Sequence, residues 1–251
     1  MNSLEGRKVL VTGGSRGLGL GIVEAMVARG ARVTVVARDA DRLAEVSRRL
    51  GVDGRRGDVT EESVARELLA EIRPDVVVLN AGLTPPMGAI HEISWEEFRA
   101  PWESDVKSGL FWVRHCLRLP LAPGSRVLIS SSGASLRGSP MSGGYAGAKR
   151  MLWLMAGYAN GVAAELGLDI RFQVLVPQQI LDTDLGRAAA ETYGRRRGLD
   201  AEAFLATFGK ALPARQVGEY VAAILTDPKY ARGVAFGVKG DTGIVSLDEG
   251  A

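Results

Sequence analysis

The sequence predicts an α/β fold in which one doubly wound parallel sheet is covered by helices on both faces. Short apolar segments alternate with longer segments of helical periodicity along most of the 251 residues. Strands that are apolar nearly throughout are typical of parallel sheets, and the helices between them supply the crossovers. No linker rich in Pro, Gly or Ser interrupts the alternation, so we expect residues 1–251 to form a single domain.

The predicted elements follow from these periodicities in chain order. The strands are Lys8–Thr12, Arg32–Ala37, Val76–Leu79, Arg126–Ser130 and Ile170–Val176. The helices are Leu18–Arg29, Asp41–Leu50, Glu61–Ile72, Trp95–Leu119 and Tyr145–Leu166. Residues 182–213 show no strand pattern and follow the carboxyl end of a strand, which is the ligand side of such a sheet. We interpret this segment as a substrate lid.

Composition argues against several classes of protein. The net charge of +2 is too small to indicate nucleic acid or an anionic membrane as a partner. A single cysteine, Cys116, allows neither an intrachain disulfide nor a cysteine-based metal site, and His91 and His115 form no spaced ligand set. No segment approaches the roughly 18 apolar residues of a membrane span, and Met1–Leu10 lacks the apolar run of a signal peptide. We therefore expect a cytoplasmic protein that binds no metal, nucleic acid or membrane.

A glycine-rich loop joins the first predicted strand to the first predicted helix. Residues 12–19 read Thr-Gly-Gly-Ser-Arg-Gly-Leu-Gly. Glycines at such a junction permit a close approach of the backbone to a pyrophosphate, and the helix N-terminus supplies N–H donors. An ordinary glycine-rich turn is the alternative, but the strand–turn–helix context favours a Rossmann-like dinucleotide site. The predicted cofactor contacts in this loop are Gly13, Ser15, Arg16, Gly17, Leu18 and Gly19.

The end of the second strand indicates which dinucleotide binds. An acidic residue about 20 positions after the glycines is typical of NAD sites. Here Arg38 ends the strand, and with Arg16 it would suit the 2′-phosphate of NADP(H). Asp39 is the competing interpretation, because its carboxylate could bind the ribose hydroxyls of NAD(H), although it also suits the N-cap of the next helix. We predict NADP(H), with NAD(H) as the alternative.

A tyrosine and a lysine lie four residues apart in a predicted helix. Tyr145 and Lys149 therefore share one helix face. The ordinary pKa of a phenol is near 10, and a fixed cation beside it favours the phenolate and lowers that pKa. Three serines, residues 130–132, lie at the carboxyl end of the predicted strand Arg126–Ser130, at the edge where ligands bind. A hydroxyl there would bind a substrate oxygen while the phenol protonates it. Taken alone, the pair also fits a buried Tyr beside an unrelated surface Lys.

Six motifs, in their order and spacing, make the chain resemble the short-chain dehydrogenase/reductase family in its standard branch. The resemblance runs from Gly6 to Asp241. The motifs are the T-G-x-x-x-G-x-G loop at residues 12–19, Asp58-Val59, Asn80-Ala81-Gly82, the serine Ser132, the Y-x-x-x-K pair and the segment from Pro177 to Thr183.

The resemblance implies a role for each matching residue. Asp58 would bind the adenine amino group, and Asn80 would brace the central strand beside the cofactor. Lys149 would also bind the nicotinamide ribose, and Thr183 the carboxamide. Ser132 is the implied catalytic serine, since the family's serine usually stands thirteen residues before its tyrosine. The other implied cofactor contacts are Val59, Ala81, Gly82 and Pro177. Helix caps and turns are the alternatives for Asp58, Asn80 and Thr183.

Three departures from the family pattern bear on the site. Asp105 stands where the family usually has an Asn that supports a proton relay to the lysine, and it is the fourth candidate catalytic residue. An Asp accepts the same hydrogen bonds but adds a charge near Lys149 unless it is protonated. We expect Asp105 to be ionised or to share a proton. The other two departures concern the pocket wall and a subunit contact. They are Gln178 after Pro177 and the sequence Val-Lys-Gly-Asp at residues 238–241.

These observations predict an oxidoreductase that uses NADP(H) to interconvert a ketone and a secondary alcohol, with Tyr145 as proton donor and acceptor. The alternative is a cofactor-binding regulator or scaffold with little turnover, which only the departures at Asp105 and Gln178 support. The predicted partner is a small carbonyl or alcohol substrate. The lid and a wall of Leu136, Met141, Ser142, Gln178 and Gln179 would select it. Two helices that are apolar nearly all round, together with the resemblance, imply a homo-oligomer, a tetramer or a dimer.

Overall fold

The computed structural model describes residues 3–178, 180, 183–207 and 212–248. Eight strands form one sheet within these residues: β1 Lys8–Thr12, β2 Arg32–Ala37, β3 Asp53–Arg56, β4 Val76–Leu79, β5 Ser125–Ser130, β6 Ile170–Pro177, β7 Ala235–Lys239 and β8 Gly243–Ser246. Their order is β3-β2-β1-β4-β5-β6-β7-β8, and only β8 pairs antiparallel to its neighbour in this sheet. The predicted doubly wound parallel sheet is confirmed.

Helices cover both faces of the sheet. They are α1 Gly17–Val27, α2 Ala40–Leu50, α3 Glu62–Ile72, α4 Trp95–Pro101, α5 Lys107–Arg118, α6 Ala134–Arg137, α7 Gly143–Glu165, α8 Asp184–Arg196, α9 Ala201–Ala206 and α10 Ala214–Thr226. One face buries apolar side chains of α1, α2 and α10, and the other buries those of α3, α5 and α7. The central strands are therefore apolar on both sides. This explains why the apolar runs in the sequence predicted the bounds of these strands with only small errors.

Three strands, β3, β7 and β8, and four helices, α6, α8, α9 and α10, escaped prediction from the residue pattern. β3 lies at one edge of the sheet and pairs with β2 alone. Its residues are half-buried or exposed, so it has no apolar run to detect. β8 lies at the other edge and is similarly exposed, while β7 is short and contains Gly237.

The long helix predicted over Trp95–Leu119 is interrupted. Pro101 ends α4, and the next five residues, Trp102–Val106, form a π-helical turn before α5 begins. A proline has no N–H to donate within a helix, and π-helical turns occur frequently at functional sites. The turn places Asp105 in the interior, where its side chain is fully buried.

The described part of the predicted lid consists of α8 and α9. Asp182, with which the predicted lid begins, and residues 208–211 lie outside the described residues. Thr183 and Asp200 cap the two helices, accepting hydrogen bonds from the N–H groups of Gly186 at 3.1 Å and Ala203 at 2.7 Å. Each cap defines where its helix begins.

Helices α1 and α10 cross with their backbones in contact. A Cβ added to Gly218 would lie 2.1 Å from the carbonyl oxygen of Gly21, and one added to Gly21 would lie 2.4 Å from the carbonyl oxygen of Ala214. Only a glycine fits at these two positions, because a side chain would clash with the backbone of the other helix. The crossing holds α10 against the helix that begins at the glycine loop.

We therefore expect Gly218→Ala to destabilise the protein, because the added methyl group forces the two backbones apart. Overpacking of this kind costs about 1–3 kcal/mol. Urea unfolding followed by circular dichroism measures the change. Arg215→Ala is the matched control, since Arg215 is exposed on the same helix and a surface substitution changes stability by at most about 0.5 kcal/mol. Equal stabilities of the two variants would contradict the contact.

Candidate active site

The carboxyl ends of the parallel strands open into a cavity of about 1070 Å³. Ligands of open α/β sheets bind at this edge. The cavity wall contains every residue that the sequence predicted as a cofactor contact: Gly13, Ser15, Arg16, Gly17, Leu18, Gly19, Arg38, Asp58, Val59, Asn80, Ala81, Gly82, Tyr145, Lys149, Pro177 and Thr183. Ser132 also lines it.

The glycine loop has a backbone path that excludes side chains. Gly13 has a φ of +67°, and a Cβ there would lie 2.7 Å from Cα of Ala81. A Cβ at Gly19 would lie 2.1 Å from the carbonyl oxygen of Gly13. Since α1 begins at Gly17, which lines the cavity, the helix N-terminus lies at the cavity wall. This cradle fits the pyrophosphate of a dinucleotide.

Three guanidinium groups lie at the end of the cavity beside β2. Arg16 and Arg38 were predicted, and Arg42, in the first turn of α2, was not. Asp39 accepts a hydrogen bond from the N–H of Arg42 at 3.0 Å, which confirms its predicted role as an N-cap. Its other carboxylate oxygen lies 3.4 Å from Nε of Arg42. The carboxylate is therefore already engaged, while the side chain of Arg38 is 76% exposed and lies 4.0 Å from Oδ2 of Asp58.

Asp58 and Asn80 link the cavity to the sheet. The backbone and hydroxyl of Thr60 donate to Oδ1 of Asp58 at 2.9 and 2.8 Å, and these bonds hold the pKa of Asp58 below its ordinary value. Asn80 donates from Nδ2 to the carbonyl of Gly13 at 3.4 Å and accepts from the hydroxyl of Ser130 at 3.3 Å. Asn80 thus connects three central strands beside the cavity, in keeping with the bracing role that the resemblance implied.

The three serines after β5 have different surroundings. Ser131 donates to the carbonyl of Lys149 at 2.8 Å, and Ser130 donates to Asn80. The hydroxyl of Ser132 accepts from the N–H of Ala134 at 3.2 Å, and its own proton has no acceptor among the residues that the structure describes. Ser132 is therefore the serine whose hydroxyl is available to a substrate, which agrees with the choice made from the sequence.

Tyr145 and Lys149 lie in the first two turns of α7, and both are buried at the cavity wall. The ammonium nitrogen of Lys149 is 5.6 Å from the centre of the Tyr145 ring and donates to the carbonyl of Ser130 at 3.3 Å. The geometry thus brings the phenol and a cation together at the same end of the cavity as Ser132.

The nearest charge to Lys149 is Asp105. The carboxylate Oδ2 lies 3.0 Å from Nζ of Lys149, and both side chains are buried. The two groups form a short ion pair, but the ammonium of Lys149 and Oδ2 of Asp105 are not aligned for a hydrogen bond. Burial works to lower the pKa of Lys149, but the charge of Asp105 and the neighbouring Tyr145 outweigh it and raise that pKa above its ordinary value. The structure thus pairs Asp105 with the lysine.

Asp105 is also bound to the loop after β4. Its Oδ1 accepts from the N–H of Leu83 at 2.9 Å. A Cβ added to Gly82 would lie 2.9 Å from Oδ2, so the carboxylate packs directly against the glycine. Asp105 does not line the cavity but lies behind Gly82. It contacts both the loop and Lys149 from there.

Other predicted and unpredicted residues complete the site. Of the five residues predicted as the substrate wall, Ser142 lines the cavity, Gln179 lies outside the described residues, and the prediction was wrong for Leu136, Met141 and Gln178, which do not line it. The sequence missed Ser139, which lines the cavity and contacts both Ser142 and Tyr193. A serine in a loop carries no pattern that would have indicated this contact.

Two further features bear on the class of protein. Among the described residues, no group of three or more His, Cys, Asp or Glu side chains is placed to hold a metal ion. Within the same part of the chain, no helix has the length and hydropathy needed to span a membrane.

Comparisons with known proteins agree with this geometry. Zerumbone synthase of Zingiber zerumbet is 32% identical over 176 residues, which cover 65% of this chain and 64% of that protein. A 3-oxoacyl acyl-carrier-protein reductase of Salmonella typhimurium is 28% identical over 248 residues, covering 95% and 98%. Cis-2,3-dihydrobiphenyl-2,3-diol dehydrogenase of Paraburkholderia xenovorans is 32% identical over 181 residues, covering 67% and 64%. The chain thus spans under two thirds of the first and third relatives but nearly all of the second.

A solved structure of NAD⁺-bound xylitol dehydrogenase superposes with a TM-score of 0.80 at 16% identity, covering 94% of this chain and 98% of that one, and this likeness shows the fold. The family model described as short chain dehydrogenase matches residues 7–194. The resemblance inferred from the sequence is confirmed, and the chain belongs to the short-chain dehydrogenase/reductase family.

Proposed function

We propose that this protein is an NADP(H)-dependent oxidoreductase that interconverts a ketone and a secondary alcohol. The observation that carries the proposal is that Ser132, Tyr145 and Lys149 line the same cavity as the glycine loop that fits a pyrophosphate. Membership of a family of oxidoreductases acting on C=O and CH–OH groups supports it. Neither the site nor the relatives favour the alternative of a regulator without turnover.

Three residues of the chain would perform the proton chemistry. The free hydroxyl proton of Ser132 donates a hydrogen bond to the substrate carbonyl oxygen and so polarises the carbonyl. Tyr145 gives its phenolic proton to that oxygen as the alcohol forms, and takes it back in the reverse reaction. Lys149, charged and buried beside the phenol, stabilises the phenolate that remains. When bound, the nicotinamide cofactor supplies or accepts the hydride.

The preference for NADP(H) rests on the charges at the β2 end of the cavity. Arg16, Arg38 and Arg42 line this end, and guanidinium groups bind phosphate through charge-assisted hydrogen bonds. The carboxylate that would bind the ribose hydroxyls of NAD(H), Asp39, is engaged as a helix cap and by Arg42. Both observations favour a cofactor with a 2′-phosphate.

We further propose that α8 and α9 act as the substrate lid and that the protein is a homo-oligomer, a dimer or a tetramer. Tyr193, Phe204 and Leu205 from these helices line the cavity, which supports the lid. Large apolar side chains exposed on α5 and α7 support the oligomer, because such surfaces commonly bury against a partner. They are Leu110, Leu154, Tyr158 and Val162.

Tyr145→Phe should reduce kcat by about 10²–10⁴-fold, the usual contribution of a positioned proton donor. Binding of NADPH should be retained, since only one hydroxyl is lost. The assay follows nicotinamide absorbance with a panel of ketones, and fluorescence titration measures the affinity for NADPH. Tyr220→Phe is the control, because Tyr220 bonds Gln216 on α10 and does not line the cavity. A Tyr145→Phe variant that retains a tenth of the wild-type rate would refute the role of Tyr145.

The double variant Ala37→Asp with Arg38→Leu should favour NADH over NADPH. The new carboxylate repels the 2′-phosphate and accepts from ribose hydroxyls, while one guanidinium is lost. Loss of a charged hydrogen bond, worth about 1.5–3 kcal/mol, weakens NADPH binding by about 10- to 100-fold. Arg49→Leu is the control, since Arg49 pairs with Glu24 outside the cavity. The proposal fails if dissociation constants show NADPH preferred by the double variant as strongly as by the wild type.

Asp105→Asn should move the pH profile of ketone reduction. The neutral amide leaves the ammonium of Lys149 without its counter-charge, so the field on Tyr145 favours the phenolate more strongly. Reduction requires the phenol, so kcat/KM should begin to fall about one to two pH units lower than in the wild type.

The matched control for this experiment is Glu103→Gln. Glu103 lies in the same π-helical turn, but it is exposed and pairs with Arg99 at 2.9 Å. Its profile should coincide with that of the wild type. Circular dichroism checks that both variants fold. Superimposable profiles for Asp105→Asn and the wild type would show that the carboxylate does not act on the proton transfer.

A further inference from the structure

Three hydroxyl groups line the cavity close to Tyr145 and bond one another in a row. The hydroxyl of Ser139 lies 2.6 Å from that of Tyr193 in the lid and 2.7 Å from that of Ser142. The row joins α8 to the loop that precedes α7. It lies within hydrogen-bond reach of ligands in the cavity, because all three residues belong to the cavity wall.

A count of protons shows that the row has one donor to spare. Three hydroxyls carry three protons, and each can donate only one hydrogen bond. The two bonds within the row use two of them. For the third proton, the described residues offer no acceptor within hydrogen-bond distance of Ser139, Ser142 or Tyr193. One O–H group is therefore left to donate to a ligand, whichever direction the row takes.

The direction of the row identifies which hydroxyl keeps the spare proton. The oxygen of Tyr193 already accepts from the N–H of Met141 at 3.2 Å. A phenol is also a more acidic donor than an aliphatic hydroxyl, so the short bond from Tyr193 to Ser139 runs from the phenol. The oxygen of Ser139 has room to accept from Ser142 as well, but successive bonds in one direction polarise one another and are favoured over two donors that converge on one oxygen. We therefore infer that Ser139 donates to Ser142, which leaves the proton of Ser142 free and strengthens this terminal donor.

The position of Ser142 agrees with a ligand-binding role. It stands at the N-cap of α7, where a serine normally accepts from a backbone N–H, yet it makes no such cap. Its side chain is 5% exposed and lines the cavity. It directly precedes α7 and stands three residues before Tyr145, which lies in the first turn of that helix. The spare donor thus lies beside the proposed proton donor.

The wall contributed by α8, α9 and the loop after β4 is mostly apolar. It contains Pro85, Met87, Ala190, Phe204 and Leu205, with Arg187 as its charged residue, and the ring of Phe204 stacks on that of Tyr193 at 6.1 Å. A polar group that a ligand carries into such a wall needs a hydrogen-bond partner, because an unsatisfied buried acceptor is costly. Ser142 is placed to be that partner.

We propose that Ser142 donates a hydrogen bond to a second oxygen of the substrate, separate from the carbonyl that is reduced. The inference rests on the proposed function for the location of the reacting carbonyl. It assigns the substrate to carbonyl compounds with an apolar body and a further acceptor oxygen a few ångströms from the reacting carbonyl, such as an ester, ketone or ether oxygen.

The test compares two ligands of equal chain length, ethyl 3-oxobutanoate and 2-heptanone, of which only the first has further acceptor oxygens. Calorimetric titration gives their dissociation constants with the enzyme saturated with the oxidised form of its preferred cofactor. A ketone is not oxidised by that cofactor, so the measurement does not depend on turnover. If the proposed function is wrong, the kinetic assay of Tyr145→Phe will show it. The binding comparison does not depend on that result.

The quantity measured is the affinity for the ester divided by the affinity for the ketone. Ser142→Ala should lower this ratio about five- to tenfold, the equivalent of one lost hydrogen bond. Thr192→Ala is the control. This variant also loses one hydroxyl, but the hydroxyl of Thr192 lies on α8 and donates to the carbonyl of Ala188, so the ratio should stay as in the wild type. If Ser142→Ala does not fold, Ser142→Gly replaces it, since Gly is tolerated at an N-cap. A ratio changed less than twofold, or equal weakening of both ligands, would overturn the proposal.

Discussion

The buried ion pair between Lys149 and Asp105 is the contact on which the geometry of the site depends. Charges removed from water need close partners, and breaking such a pair from one side commonly costs about 3–5 kcal/mol. Here the carboxylate also binds the N–H of Leu83, and the ammonium also binds the carbonyl of Ser130. The pair therefore holds the π-helical turn, the loop after β4, the end of β5 and α7 in one arrangement.

The parallel sheet determines which residues can meet around this pair. All seven parallel strands end at the same edge, so the segments that follow them converge regardless of their separation in the chain. Close backbone contacts then limit the residue types allowed at that edge. The carboxylate leaves only a glycine's space at Gly82, and the loop at Gly13 and Gly19 admits no side chain.

The two ends of the cavity differ in charge. Three arginines, with Asp39 and Asp58, line the end beside β2, while the wall formed by α8 and α9 is mostly apolar, with Arg187 and a short row of hydroxyls. An anionic group is favoured at the first end by charge, and a neutral ligand is favoured at the second by burial and hydrogen bonding. This difference supports the proposed assignment of the β2 end to the cofactor and of the wall formed by α8 and α9 to the substrate.

The central strands, the glycine loop and the pairing of Tyr145 with Lys149 could be predicted from the residues alone, because each depends on short spacings or on an apolar run. The edge strands β3 and β8 could not be predicted in this way, because they are too exposed to show such a run, and the folded structure alone revealed them. It also decided the π-helical turn, the approach of Asp105 to Lys149, the third arginine and the bond between Ser139 and Tyr193. That bond joins residues 54 positions apart, and packing between elements, rather than local periodicity, sets the distance.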